Sequence, residues 1–139
     1  MPYSVSTDKN DLDITLIHRY LSNSYWAKGV PLSVVEKSIE HSLCFGAYDS
    51  DGSQVGFARV ITDCATFAYL SDVFVVDDKQ GQGIAKLILS AIEEHPDLQG
   101  LRRTMLGTVD AHSLYQQFGF QSIQKPEFLM QKKGIESYV

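Results

Sequence analysis

The apolar positions of this chain change period several times, and each change marks an element. Leu16, Ile17, Tyr20 and Leu21 fall on one helical face, with Asp11 or Asp13 placed to cap its start. An aromatic-rich loop follows, Tyr25-Trp26-Ala27-Lys28-Gly29-Val30-Pro31. Beyond it, Ser33 and Glu36 have the S-x-x-E spacing of a capping box and predict a second helix to about Ser42. The period then shortens. Leu43 to Tyr48 and Gln54 to Ile61 are β-rich runs separated by Asp49-Ser50-Asp51-Gly52, the pattern of an antiparallel hairpin. Phe67 to Val76 is apolar except for Ser71 and Asp72, which predicts a central strand covered on both faces. Ile84, Leu87, Ile88, Ala91 and Ile92 restore a helical face from about Gly83 to His95, and Pro96 ends it. Leu101 to Gly107 predicts another strand. Asp110 is placed to cap a short helix from Ala111 to Phe118, with Gly119 as its stop. A first short strand over residues 3–7, and last ones over Phe120 to Gln124 and Phe128 to Gln131, complete the pattern. The class is α+β, or mixed α/β, in one domain over residues 1–139.

Composition narrows the partners more than the fold. With 139 residues, 44% hydrophobic and 21% charged, the chain has the material for one sizeable core. The formal net charge is -5 and the Lys/Arg blocks stop at Arg102-Arg103 and Lys132-Lys133, so no nucleic-acid partner is expected. An acidic balance mildly favours an amine or cationic partner. No apolar run approaches the ~20 residues of a membrane span and no signal region opens the chain, so the expectation is a cytoplasmic protein without a membrane partner. Cys44 and Cys64 sit in apolar stretches and read as buried, reduced thiols; no zinc-type spacing surrounds them, and no metal is expected.

The segment with chemical content is Gln80-Gly81-Gln82-Gly83-Ile84-Ala85, between an apolar strand and a helix. A helix N-terminus leaves backbone N–H groups unpaired and carries partial positive charge. Glycines at 81 and 83 let the backbone approach a ligand closely, and a pyrophosphate suits such a cradle. The same residues also make an ordinary tight turn. Two other phosphate loops are excluded: G-x-x-x-x-G-K-[ST] is missing, and Lys86 replaces the third glycine of G-x-G-x-x-G.

Here the sequence resembles the GCN5-related N-acetyltransferases, the GNAT family. Gln80 to Ala85 satisfies that family's Q/R-x-x-G-x-G/A, and Ala111-His112-Ser113-Leu114-Tyr115-Gln116-Gln117-Phe118-Gly119-Phe120 resembles its A-x-x-L-Y-x-x-x-G-F. The order of predicted elements agrees along nearly the whole chain. The resemblance implies a central, mostly antiparallel sheet flanked by helices, whose splayed central strand pair admits acetyl-CoA as acetyl donor. By the same resemblance Val73, Phe74 and Val75 pair with the pantetheine arm, and Gln80, Gly81, Gln82, Gly83, Ile84 and Ala85 hold the pyrophosphate. Tyr115 is then the general acid for the departing thiolate. Thr108 stands where the family often has an asparagine that contacts the cofactor arm, and its hydroxyl retains hydrogen-bonding capacity. The implied activity is N-acetyl transfer, directly and without metal, to a small-molecule or peptide amine; a homodimer is a further implication.

The acceptor side is less determined. Tyr69 stands where some relatives carry a glutamate base, and Asp72 is the nearest carboxylate. A charge inside an apolar strand is costly unless paired or wet, so Asp72 is either a structural partner, with Arg59 as candidate, or a pocket base with a raised pKa. Tyr25 and Trp26 fall in the region where the family builds its acceptor pocket, and an aromatic pair there suits a cation with an apolar portion; burial as core is the alternative. His112 is a second base candidate or a solvent-facing helix-start residue. The rival function is a non-catalytic acyl-CoA-binding or sensing module, which would keep the glycine cradle without the tyrosine.

Overall fold

The computed structural model describes residues 2–139. Five strands form one sheet in sequence order: β1 (Ser4–Ser6), β2 (Leu43–Tyr48), β3 (Gln54–Thr62), β4 (Phe67–Val75) and β5 (Arg103–Leu106). The first four pair antiparallel and β5 joins β4 in parallel, so the sheet is mostly antiparallel. Helices α1 (Ile14–Ser22) and α2 (Leu32–Glu40) cover one face; α3 (Ile84–Glu94) and α4 (His112–Gln116) lie on the other. This is the α+β class the hydrophobic pattern predicts.

Alternation along the strands sorts two cores. Cys44 and Phe57 face Ile17, Leu21, Val35 and Ile39 of the first helix pair. Phe45, Ala58, Val60 and Leu70 face Ile84, Ile88 and Leu89 of α3 and Tyr115 of α4. Phe45 and Phe57 are both fully buried, and side chains of that kind each contribute about 1.5–3 kcal/mol through burial. Gly46 is fixed by packing rather than by a turn. A Cβ there would stand 2.3 Å from the Tyr48 hydroxyl.

Several local signals resolve differently from the pattern. Asp13, not Asp11, caps α1 by accepting from the Leu16 N–H, while Asp8 opens a short 3-10 turn ahead of it. Ser33 and Glu36 lie inside α2. Pro31 occupies its N-cap with φ near -66° and no side-chain hydrogen bond, so proline geometry and not a capping box starts this helix. The α4 turn is capped through Thr108, whose Oγ1 accepts from the Ala111 N–H at 3.0 Å, and not by Asp110.

Two larger corrections concern the sheet. Phe67 and Tyr69 of β4 are exposed, as is Ile61 beside Tyr69 in β3, so β4 is covered on both faces only over part of its length. The expected strands at 120–124 and 128–131 do not form; the chain past Phe120 is irregular, with one 3-10 turn at Pro126–Phe128. Pro126 lacks an N–H for a ladder, and Phe128 and Met130 remain exposed rather than supplying an inward face. Among the described residues no helix is long and apolar enough to cross a membrane.

Candidate active site

The β4–β5 pairing sets the geometry. It runs from Phe67 opposite Arg103 to Leu70 opposite Leu106 and then stops. Beyond that point Ser71, Phe74 and Val75 pair only with β3, and β5 gives way to a loop. The pairing of β4 with β5 ends there. Half of the β4 backbone groups in this stretch therefore face a gap and not a neighbouring strand, as an inserted extended ligand requires.

A bulge shapes the start of the gap. Arg59 pairs with Ser71 but Phe57 pairs with Phe74, so β4 has one more residue than β3 across this interval. Asp72 takes it up with φ 54°, in the left-handed region. Its carboxylate accepts from Arg59 Nε and from Trp26 Nε1, each at 2.8 Å. Arg59 in turn donates to Ser42 Oγ at 3.1 Å and lies 3.4 Å from Ser71 Oγ. The ion pair is largely buried, with side-chain exposures of 15% and 9%. Of the two roles weighed for Asp72, partnership with Arg59 is the one this geometry supplies.

The far end of the gap is made of backbone. Gly81 and Gly83 both adopt φ 81°, which disfavours any residue with a Cβ. Nothing lies within 4 Å of where a Cβ would stand at either position, so the loop surface is open. Gly83 is the N-cap of α3, and no side chain satisfies this end. Leu87 is the first residue to bond back, to the Gly83 carbonyl, which leaves the N–H groups of Ile84, Ala85 and Lys86 for an external acceptor. An open cradle of free N–H groups on the positive end of an 11-residue helix fits a pyrophosphate.

Tyr115 projects from α4 into the core around the last paired residues of β4 and β5. It is buried, and its ring meets Phe120 edge-on with centroids 5.9 Å apart. Burial raises its pKa above the ordinary phenol value, with smaller contributions from Tyr25 and Asp110. The phenol thus stays protonated at neutral pH, as a proton donor must.

Comparison with known proteins decides the family. The acetyltransferase (GNAT) domain model matches residues 40–122. The chain belongs to the GNAT acetyltransferase family. A Gibberella zeae protein described as an acetyltransferase is 35% identical over 135 residues, 81% of this chain and 75% of that protein. The crystal structure of a GNAT-family protein from Xanthomonas campestris pv. campestris is 53% identical and superposes with a TM-score of 0.92, covering 95% of this chain and 93% of its own. A Mycobacterium tuberculosis protein solved in complex with CoA shares the fold at 20% identity and a TM-score of 0.70, covering 87% of this chain and 73% of its own. The GNAT family is one of acetyl-CoA-dependent acetyl transfer, and membership gives this chain that catalytic potential.

Within this GNAT chain the other sequence-predicted residues lie on β4, in the glycine loop and at exposed positions. Val73, Phe74 and Val75 line β4 beyond the end of that pairing, with Phe74 buried under α1. Gln80 folds back, its Nε2 donating to the Val75 carbonyl at 3.2 Å, and Gln82 accepts from the Tyr3 hydroxyl. Tyr25 and Trp26 pack edge to face with centroids 5.1 Å apart, and both are exposed, so they are not core. Tyr69 is exposed on the same sheet face as Arg59, and its hydroxyl points at Gly107, 3.4 Å from a Cβ built there. His112 is exposed at the start of α4.

The cysteines separate. Cys44 is buried, and desolvation pushes its thiol up to about 11; Cys64, expected to be buried, is exposed in the turn before β4. No cluster of potential metal ligands occurs among the described residues.

Two bracing tyrosines escaped the sequence reading. Tyr20 stacks on Phe74 with centroids 4.6 Å apart, and its hydroxyl accepts from the Asp77 N–H at 2.7 Å, tying α1 to the turn that follows β4. Its place on the apolar face of α1 signalled packing only. Tyr3 reaches Gln82 from outside any motif.

Proposed function

We propose that this chain is an N-acetyltransferase that moves an acetyl group from acetyl-CoA to an amine by direct transfer. One juxtaposition carries the reading: a strand gap with an uncapped, glycine-lined helix N-terminus at one end and a buried, protonated Tyr115 beside the other. Acetyl-CoA held in the gap supplies an activated acetyl thioester. Val73 to Val75 align it through backbone groups, Gln80 to Ala85 hold its pyrophosphate, and the Thr108 hydroxyl remains able to donate toward the arm. The acceptor nitrogen forms the new C–N bond as the C–S bond breaks. Tyr115 gives its proton to the sulfur, and the proton from nitrogen leaves to solvent on the exposed Tyr25–Trp26 side. Asp72 already accepts two hydrogen bonds and acts by holding Arg59 and Trp26 in place.

Tyr25, Trp26 and Tyr69 present aromatic surface to the acceptor, which favours an amine with an apolar portion. Calorimetric titration of acetyl-CoA tests the donor site. Binding to the wild type, abolished in Gly83→Glu, is expected; no binding to the wild type sinks the proposal. The free edge of β5 and the exposed Phe128, Met130 and Ile135 support pairing with a second copy. Light scattering on the purified chain should give twice the monomer mass.

A further inference from the structure

The last residues of the chain return to the acceptor side. After Phe120 the backbone leaves the sheet, yet Tyr138 lines a cavity of about 210 Å³ together with Leu21, Trp26, Val30, Val35, Arg59 and Asp72. Val139 sits against Gly29, whose φ is 77°; a Cβ built on Gly29 would lie 2.2 Å from Val139 Cγ1. The loop carrying Tyr25 and Trp26 therefore has a glycine at the place where the tail crosses it. Ser137 shapes the crossing, its hydroxyl donating to the Val139 carbonyl at 2.7 Å and accepting from the Val139 N–H at 3.1 Å.

The composition of the cavity states its chemistry. One wall is aliphatic, from α1, α2 and the loop between them. Another is the Arg59–Asp72 pair, whose charges cancel and whose hydrogen bonds are already committed. Neither attracts a free ion strongly; both suit the apolar body of a ligand whose amine reaches on toward the strand gap. Tyr138 is the one aromatic wall that comes from outside the α1–β4 framework. Its side chain makes no hydrogen bond among the described residues, and no helix or strand holds the tail over 129–139. Tyr138 is 42% exposed, so it forms the outer, solvent-facing wall of the cavity.

We propose that Tyr138 is a specificity-determining residue: it closes the acceptor-side cavity and limits the size of amine admitted beside Trp26 and Asp72. The proposal rests on the acetyltransfer reading for the identity of the ligand but not for the placement of the tail. Because its ring is half-exposed and not hydrogen-bonded, removing it should open the cavity without unfolding the chain. Steric discrimination of one group in an apolar pocket reaches ~10-fold or more.

Trp26 is the only tryptophan in the chain and lines the same cavity, so its fluorescence reads the wall directly. In full-length Tyr138→Ala, acrylamide should quench Trp26 more strongly than in the wild type, and Tyr138→Phe should restore wild-type quenching. The ratio of affinities for 2-phenylethylamine and ethylamine, titrated against Trp26 emission, should shift by ~10-fold toward the larger amine in Tyr138→Ala. Unchanged quenching overturns the placement of the wall. An unchanged affinity ratio, or no binding of either amine to either protein, overturns the selectivity. Acetyl-CoA calorimetry on the same samples separates this proposal from the one beneath it. Lost donor binding in the wild type, with the Trp26 effects intact, sinks acetyl transfer and leaves the wall standing.

Discussion

The two sides of the strand gap are built from different materials. The donor side is backbone: six consecutive residues, Gln80 to Ala85, place two glycines at φ 81° and an uncapped helix end next to each other. The acceptor side is side chains gathered from far apart in sequence: Trp26 from the α1–α2 loop, Arg59 from β3, Asp72 from a bulge in β4 and Tyr138 from the tail. A phosphate-binding backbone is indifferent to most side chains and tolerates change around its glycines. A pocket of convergent side chains fails or changes selectivity when one member is altered. On the proposed reading, the contrast puts generic donor chemistry on one side and specificity on the other.

The largest expected effect falls on the residue between the two sides. Tyr115→Phe removes the proposed proton donor and leaves the ring, so kcat should fall by ~10²–10⁴-fold while acetyl-CoA affinity changes little. The pH profile sharpens the test. Burial raises the Tyr115 pKa, so its acid form persists through neutral pH and is lost only as pH rises through that raised value. The wild-type kcat should therefore keep its acid-form plateau to above the ordinary phenol value of ~10. A basic limb below that value, or one that survives in Tyr115→Phe, assigns the proton to another group.

Next is Asp72→Ala, which probes the side-chain-built half. It leaves the Arg59 guanidinium largely buried without its counter-charge, frees Trp26 Nε1, and puts alanine at φ 54°. Breaking a buried pair by removing one partner costs about 3–5 kcal/mol, to be read from urea denaturation. A loss below about 1 kcal/mol, the scale of an exposed pair, would show that the Arg59–Asp72 pair does not anchor the acceptor side.

What the sequence disclosed follows the same division. The conformation of the glycine loop was legible because its constraint is local: glycine at fixed positions, after an apolar run and before a helical period. The place of Tyr115 on a short helix was legible for a similar reason, since it stands in a ten-residue pattern there. Cys64 was misplaced because an apolar neighbourhood in sequence says nothing of the turn that turns it outward. The Asp72–Trp26 hydrogen bond joins residues 46 positions apart through a bulge that no hydrophobic period announces. The two C-terminal strands had the composition for a sheet, but pairing depends on an edge and a register that composition does not encode. Tyr138 carried no pattern at all.

The smallest expected effect separates two reasons for glycine on the donor side. Gly81→Ala meets no atom within 4 Å, so the substitution has no steric cost in the protein itself. What remains is the left-handed backbone, φ 81°, where alanine costs about 1 kcal/mol. If conformation alone selects glycine, stability should fall by that amount and acetyl-CoA affinity by no more than a few-fold. If close approach of the pyrophosphate also selects it, affinity should fall by ~10-fold or more, well beyond the loss in stability. The open space around the absent Cβ favours the second outcome, since the protein offers no other group for a side chain there to displace. Parallel measurement of the denaturation midpoint and the calorimetric Kd for Gly81→Ala makes the decision: matching small losses would reduce the cradle to a turn, and a disproportionate loss of affinity would make its emptiness a binding surface.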